Sequence, residues 1–183
     1  MASARALPGA IRQIAYVVRD MDAAIEEWLG HGVGPWFVLR SFRQHGATFR
    51  GRSAEPLLCL AMANSGPLQI ELLAQLDDTP SSYREFLDSG REGFHHVSYW
   101  TDDFDSSLAR AAEQPWQVVQ QGISRSVYLD TGGATSTLVE IAELTERYRR
   151  LTDTVRDAAS EWDGVSDPVR ELSPPPHGVE TAG

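Results

Sequence analysis

The strongest constraint on the fold is an internal repeat. The segment Gln13 to Ile25 (QIAYVVRDMDAAI) can be laid over His96 to Leu108 (HVSYWTDDFDSSL), with Tyr16, Asp20 and Asp22 recurring as Tyr99, Asp103 and Asp105. Six further positions keep size and polarity. The strands that would close each copy align too, Leu68 to Leu72 (LQIEL) over Thr137 to Ile141 (TLVEI). Repetition of a whole supersecondary unit means that the copies pack together to bury what neither can bury alone. In this register Gln13 corresponds to His96, and Glu71 to Glu140.

Each copy reads as β-α-β-β-β, which predicts an α+β fold of two tandem βαβββ modules plus a C-terminal helix. In the first copy, Ile11 to Val18 is rich in β-branched and aromatic residues and predicts a strand. Asp20 or Asp22 then caps a helix with the apolar face Ala24, Ile25, Trp28 and Leu29, stopped by Gly30, Gly32 and Gly34. Strands follow over Trp36 to Phe42, Leu57 to Ala63 and Leu68 to Leu73. The second copy gives a strand from Phe94 to Thr101, a helix capped by Asp103 or Asp105 that runs to Gln114, and strands over Trp116 to Gln120, Ser126 to Asp130 and Thr137 to Ala142. The expected domain spans residues 10–143, with modules 10–76 and 93–143. A linker helix within 77–92 starts at Thr79-Pro80 and buries Tyr83, Phe86 and Leu87. The first module is the longer. Its surplus falls between Ser41 and Pro56, as a hairpin or lid over the cavity that places Arg43, His45, Arg50 and Arg52 to meet an acidic substrate group. Residues 144–163 predict an amphipathic helix with the stripe Leu144, Tyr148, Leu151, Val155 and Ala158, packed on the body or on a second subunit. Residues 164–183, rich in Pro, Ser and Gly, are expected to form a flexible or docked extended tail.

Side chains alternate across a strand. If Ile14, Tyr16 and Val18 face a helix, Gln13 faces the other way, and Glu71 lies between Ile70 and Leu72 as Glu140 lies between Val139 and Ile141. A single Glu in an apolar strand ordinarily faces solvent. Here four polar residues occupy matching points of matching strands. Two carboxylates on converging strands repel unless a cation lies between them. Gln13, Glu71, His96 and Glu140 are therefore the candidate ligands of a divalent metal. A neutral amide, a neutral imidazole and two carboxylates balance a 2+ ion and leave about two positions for water or substrate. The face that carries them predicts pocket walls from Val17, Trp36, Phe37, Phe49, Ser98 and Trp100, with Ala15 and Leu138. This is a mostly apolar lining suited to a hydrophobic small-molecule substrate. His95, one residue from His96, is expected to face the opposite side.

Composition narrows the remaining classes. The net charge of −10 argues against nucleic-acid binding. All 16 Lys-plus-Arg positions are Arg, which excludes a Schiff-base lysine or a P-loop lysine. Cys59 is the one cysteine, so no intrachain disulfide forms. With no apolar leader near Met1 and no apolar run of about 18 residues, the expected setting is cytoplasmic and away from membranes.

The stretch Gln13-Ile-Ala-Tyr-Val-Val-Arg-Asp-Met-Asp22 resembles the opening strand and helix cap of vicinal-oxygen-chelate proteins. Glu71-Leu72-Leu73, then Ser81-Ser82-Tyr83-Arg84-Glu85-Phe86-Leu87 and Gly93-Phe94-His95-His96-Val97, resembles the methylmalonyl-CoA epimerase and glyoxalase I members of that superfamily. The likeness covers about residues 10 to 143. It implies two βαβββ modules curled around one cavity, with one metal ligand from the first and last strand of each, at Gln13, Glu71, His96 and Glu140. Gln-Glu-His-Glu is the set of zinc-type glyoxalase I, whereas the epimerases carry His and Gln at the positions of Gln13 and Glu71. The glutathione-binding Arg and Asn of glyoxalase I are Val17 and Gln75 here. The resemblance thus implies a metal-dependent lyase, isomerase or epimerase using Zn, Ni, Co or Mn. Such an enzyme moves a proton next to a carbonyl, with Glu140 or Glu71 as the base, and works as a homodimer. The alternative is a binder that sequesters a hydrophobic small molecule, as drug-resistance members do, although those commonly lack the metal residues.

Overall fold

A computed structural model of the protein describes residues 6–122, 125–135 and 137–173. The first half runs β1 (Gln13–Val17), α1 (Met21–Gly30), β2 (Trp36–Arg43), a short hairpin of β3 (Thr48–Phe49) and β4 (Arg52–Ser53), β5 (Leu57–Ser65) and β6 (Leu68–Gln75). After α2 (Ser82–Asp88), the second half runs β7 (Gly93–Thr101), α3 (Phe104–Ala112), β8 (Gln117–Gly122), β9 (Ser126–Asp130) and β10 (Leu138–Glu143). The chain continues through α4 (Glu146–Glu161) to β11 (Val169–Glu171).

The repeat is visible in the caps. Asp20 and Asp103, identical in the two copies, are the N-caps of α1 and α3. Their side chains accept from the backbone N–H of Ala23 at 3.0 Å and of Ser106 at 3.2 Å. Each satisfies an amide that the first helical turn leaves unpaired. Past the end of α1, Gly32 takes φ +78°, a conformation that a β-carbon disfavours.

All strands join one sheet in the order β11-β2-β5-β6-β1-β7-β10-β9-β8-β3-β4. Antiparallel pairing of β1 with β7 fuses the halves, and on either side of that seam the first and last strand of each half run parallel. From β2 to β8 there are seven strand-to-strand steps, about 33 Å if the sheet were flat. Yet Gln44, just beyond β2, lies 3.5 Å from Gln120 of β8. The sheet therefore curls on itself. The hairpin of β3 and β4, which carries the expected surplus, crosses to the other half and pairs with β8 through Thr48↔Gln121 and Phe49↔Gln120.

The outer face packs under α1 and α3. Ile25, Trp36, Val38, Ile70 and Leu72 form the core beneath α1, and Phe104, Val127, Leu129 and Ile141 the core beneath α3. The inner face is covered at two places. From α2, Tyr83, Phe86 and Leu87 meet Val17, Leu58 and Tyr128. From α4, Val155 meets Phe37 and Met62, with Leu151 and Ala158 alongside. The C-terminal stripe thus packs on the body. It begins later than the sequence suggests, because Thr145 is the N-cap and Leu144 precedes the helix. Part of the expected tail is a strand: β11 pairs with β2, and Leu172 joins the cluster under α4. The rest of that tail, residues 174–183, lies outside the described residues.

Candidate functional site

Strand register brings the four sequence candidates to one face. Directly paired residues share a face of a sheet. One row across the sheet reads Met62–Glu71–Ala15–His96–Leu138. The next reads Gln69–Gln13–Ser98–Glu140–Tyr128–Gln120. Glu71 on β6 and Glu140 on β10 therefore flank the β1–β7 seam that carries Gln13 and His96. All four are buried, with exposures of 1% for Gln13, 7% for Glu71, 0% for His96 and 7% for Glu140.

His96 Nε2 stands 3.6 Å from Glu71 Oε2 and 3.8 Å from Glu140 Oε2. Gln13 donates through Nε2 to Gln69 Oε1 at 2.8 Å. Burial, and then the charge of Glu140, push the Glu71 carboxyl well above the usual carboxylate range, with partial relief from Gln13. Burial raises Glu140 as well, offset by the nearby hydroxyls of Ser98, Tyr128 and Ser126. Burial holds His96 well below the usual histidine range, so its imidazole is neutral near pH 7. Among the described residues His96 is the only basic group in ion-pair range of either carboxylate. The centre is short of positive charge, and its buried His96 Nε2 has no hydrogen-bond partner among the described residues.

Among the described residues no three His, Cys, Asp or Glu side chains have already closed to ion-binding geometry. The separations of 3.6 and 3.8 Å at His96 exceed the roughly 3.0–3.4 Å between ligand atoms set by bonds of about 2.1 Å. An unpartnered buried imidazole nitrogen, two buried carboxylates lacking a counter-charge and an adjacent amide fit a divalent ion by chemistry.

The residues expected as pocket walls occupy different places in the fold. Trp36 lies on the outer face, fully buried beneath α1, where its indole N–H donates to Val33 O at 3.0 Å. Adjacent strand residues point to opposite faces, so Trp36 and Phe37 cannot both line one cavity. Phe37 is on the inner face but α4 covers it with Val155. Val17 is packed against α2 rather than open. Ser98 sits beside Glu140, near enough to ease its charge although its hydroxyl makes no well-formed hydrogen bond among the described residues. Phe49 is half-buried on the crossing hairpin, with Arg50 over its ring. Trp100 stacks edge-on with Tyr148 at 5.3 Å between ring centroids. A cavity of about 340 Å3 opens next to the centre at His95, with Arg50, Ser82, Phe86, Arg91 and Leu138 among its walls; none of the six expected wall residues lines it, and neither do Gln13, Glu71, His96 or Glu140. Of the basic residues assigned to the first-half insert, Arg50 reaches this cavity, and there it is paired with Glu85 at 2.7 Å.

His95 does not face away from His96. The register shifts from Ala15↔His96 to Tyr16↔Phe94, so β7 carries one extra residue. A bulge of this kind turns two successive side chains to one side. His95 is 3% exposed, and its Nδ1 is 3.0 Å from His96 Nδ1. Burial lowers its pKa to about 4. Sequence reasoning also missed Gln69, Tyr128 and Tyr148. Gln69 was recoverable, since it lies two residues before Glu71 on the same strand face. Tyr128, 4.7 Å from the His96 ring, and Tyr148 come from elements whose docking no local pattern reveals. Tyr148 keeps some exposure along its ring, whereas its phenol lies deep. Burial, then Glu71 and Glu140, push that phenol well above the usual range.

No curated protein sequence matches the chain. Solved structures do. Methylmalonyl-CoA epimerase from Mycobacterium tuberculosis superposes with a TM-score of 0.54 at 21% identity, covering 82% of this chain and 97% of that one. A methylmalonyl-CoA epimerase in complex with methylmalonyl-CoA and NH4+ gives a TM-score of 0.50 at 19% identity, over 74% of this chain and 94% of that one. A Streptomyces coelicolor epimerase variant in complex with 2-nitronate-propionyl-CoA gives 0.50 at 19% identity, over 75% and 95%. At such identities the likeness is one of fold. The profile of the glyoxalase/bleomycin resistance protein/dioxygenase superfamily matches residues 12–130, from the seam strand β1 through β9. With that match and two βαβββ halves curled around one polar centre, the chain belongs to this superfamily.

Proposed function

We propose that the protein is a metal-dependent lyase, isomerase or epimerase that transfers a proton next to the carbonyl of a hydrophobic small-molecule or acyl substrate. The observation that carries this reading is the unpartnered, buried His96 Nε2 beside two buried carboxylates. Burying two like charges costs stability and is characteristic of functional sites. Gln13, Glu71, His96 and Glu140 would hold the ion. When bound, a divalent ion polarises a carbonyl and makes the neighbouring C–H more acidic.

The remaining roles fall to the chain. His96 offers a neutral imidazole lone pair. Gln13 is oriented by its bond to Gln69. Glu140 is the preferred base, since Ser98, Tyr128 and Ser126 lie around it to hold its carboxylate as it takes and returns a proton. An acyl thioester with an acidic α-carbon belongs to the substrate class, and one structural neighbour is an epimerase in complex with methylmalonyl-CoA. The test combines elemental analysis with solvent-deuterium incorporation at the α-carbon, screened over 2-substituted acyl thioesters and α-hydroxy or α-keto carbonyl compounds. About one Zn, Ni, Co or Mn per chain and deuterium exchange are expected. A protein that takes up no metal overturns the reading. One that binds hydrophobic ligands yet exchanges no proton is instead a sequestering binder.

A further inference from the structure

His95 is the buried imidazole that the proposed function leaves without a role. Its ring is wedged between Phe86, at 5.1 Å between centroids, and Tyr83, at 5.5 Å. Its Nε2 lies 3.3 Å from the backbone carbonyl oxygen of Ser82, and its Nδ1 lies 3.0 Å from His96 Nδ1. Ser82 is itself pinned: its backbone N–H donates to Gln120 Oε1 at 2.8 Å, in the turn where Ser81 caps α2.

We propose that His95 is a positioning residue that fixes the tautomer of His96, so that the lone pair of His96 Nε2 points at the space between Glu71 and Glu140.

The assignment follows from donor counting. A carbonyl oxygen only accepts, so His95 Nε2 carries a proton. A neutral imidazole has one N–H, so His95 Nδ1 is bare and accepts. The proton between the two rings must then belong to His96 Nδ1, which leaves His96 Nε2 bare. That nitrogen is the one with no hydrogen-bond partner, and it faces both carboxylates. The opposite arrangement sets two lone pairs against each other at Ser82 and points a His96 N–H at the carboxylates, where it would block ligation. Ligating histidines ordinarily donate their second N–H to a carboxylate, a carbonyl or water. Here the bond to the α2 carbonyl is relayed through a second imidazole. The β-bulge that brings both rings inward makes the relay possible.

The effect on metal affinity rests on the proposed function; the tautomer does not. Long-range 1H–15N NMR of the 15N-histidine-labelled full chain, stripped with a chelator, reads both tautomers directly. The expected pattern is Nδ1–H for His96 and Nε2–H for His95. A His96 found as Nε2–H in the wild type overturns the inference, whatever the protein does with metal. Zinc titration against a chromophoric chelator supplies the second readout. H95F should weaken zinc binding about 10–100-fold. H95Q should recover most of that loss, because an amide can both accept from His96 and donate to Ser82. An H95F protein that is folded and binds zinc as the wild type does also overturns the inference. If the wild type takes up no zinc, the proposed function fails while the NMR pattern still decides the role of His95.

Discussion

Replacing Glu71 with Gln should make the metal-free protein more stable at neutral and alkaline pH while weakening its hold on metal. Glu71 is 7% exposed, and burial followed by the charge of Glu140 raises its pKa well above the usual carboxylate range. A carboxyl raised in the folded state binds its proton more tightly there than in the unfolded chain. Its contribution to stability is fully present below the unfolded pKa of about 4.3, and is lost as pH rises through the folded value. Over that window each such group costs up to about 1.4 kcal/mol per pH unit. For a chain of this size that is about 3–6 °C in Tm per unit. Glu140 slopes the same way, since its pKa is also raised. His95 and His96 slope oppositely, because their pKa values are depressed, and stability is lost as pH falls below about 6.5. Both imidazoles remain in E71Q, so to first order they cancel in the comparison. Calorimetric melting of chelator-treated wild type and E71Q between pH 5 and pH 8 is the assay. The two melting temperatures should lie closest at low pH and diverge upward, with E71Q the more stable. Added zinc should raise the wild-type Tm more at pH 8 than at pH 5, because the ligands must be deprotonated, and should raise that of E71Q less. Parallel curves for the two metal-free proteins would refute the view that these carboxylates share a desolvated centre.

Three further outcomes are expected. At saturating metal Glu140→Gln should stay largely loaded while α-proton exchange falls at least about 100-fold; if Glu71→Gln loses exchange and Glu140→Gln does not, the roles are inverted. Val155→Ala, which removes buried methyl groups from the seat of α4 on Phe37 and Met62, should cost about 2 kcal/mol in denaturant unfolding, and a loss below about 0.5 kcal/mol would mean that α4 is not anchored there. Asp20→Ala and Asp103→Ala should each cost about 1 kcal/mol, so a loss confined to one of them would show that the two helix starts are not equivalent.

How far the sequence could be read depended on whether a feature was local. Gln13, Glu71, His96 and Glu140 could be assigned to one face because strand alternation settles direction within a strand, and the repeat carries the result from one half to the other. The Asp20 and Asp103 caps are equally local. Alternation alone puts His95 on the wrong face because it fails at a bulge, and the bulge exists only in the pairing of β7 with β1. Trp36 and Phe37 cannot both be pocket walls, since alternation allows only one of them to face the cavity. The aromatic pair signalled burial without saying in which core. The stripe on α4 was legible, but the surface that receives it, Phe37 and Met62 on strands far back in the chain, was not. β11 was hidden by a Pro-rich context, since its pairing with β2 is long-range.

The two halves are copies in backbone but not in what fills them. α2 occupies one end of the inner face and sends Tyr83 to hydrogen-bond Tyr128 at 3.0 Å. α4 occupies the other and brings Tyr148 against Trp100. Between these plugs the centre keeps a two-fold backbone with an asymmetric set of groups: an amide at Gln13 where the second copy has the imidazole of His96. An amide neither titrates near neutral pH nor serves as a base. His96 is committed through its Nδ1 to His95, and its one free nitrogen faces the carboxylates. On the proposed reading, proton transfer at this centre would fall to Glu71 and Glu140. Of the two, Glu140 lies among hydroxyls that can follow a change in its charge, while among the described residues Glu71 is relieved by Gln13. The repeat supplies symmetric positions, and the substitutions within it set one carboxylate apart from the other.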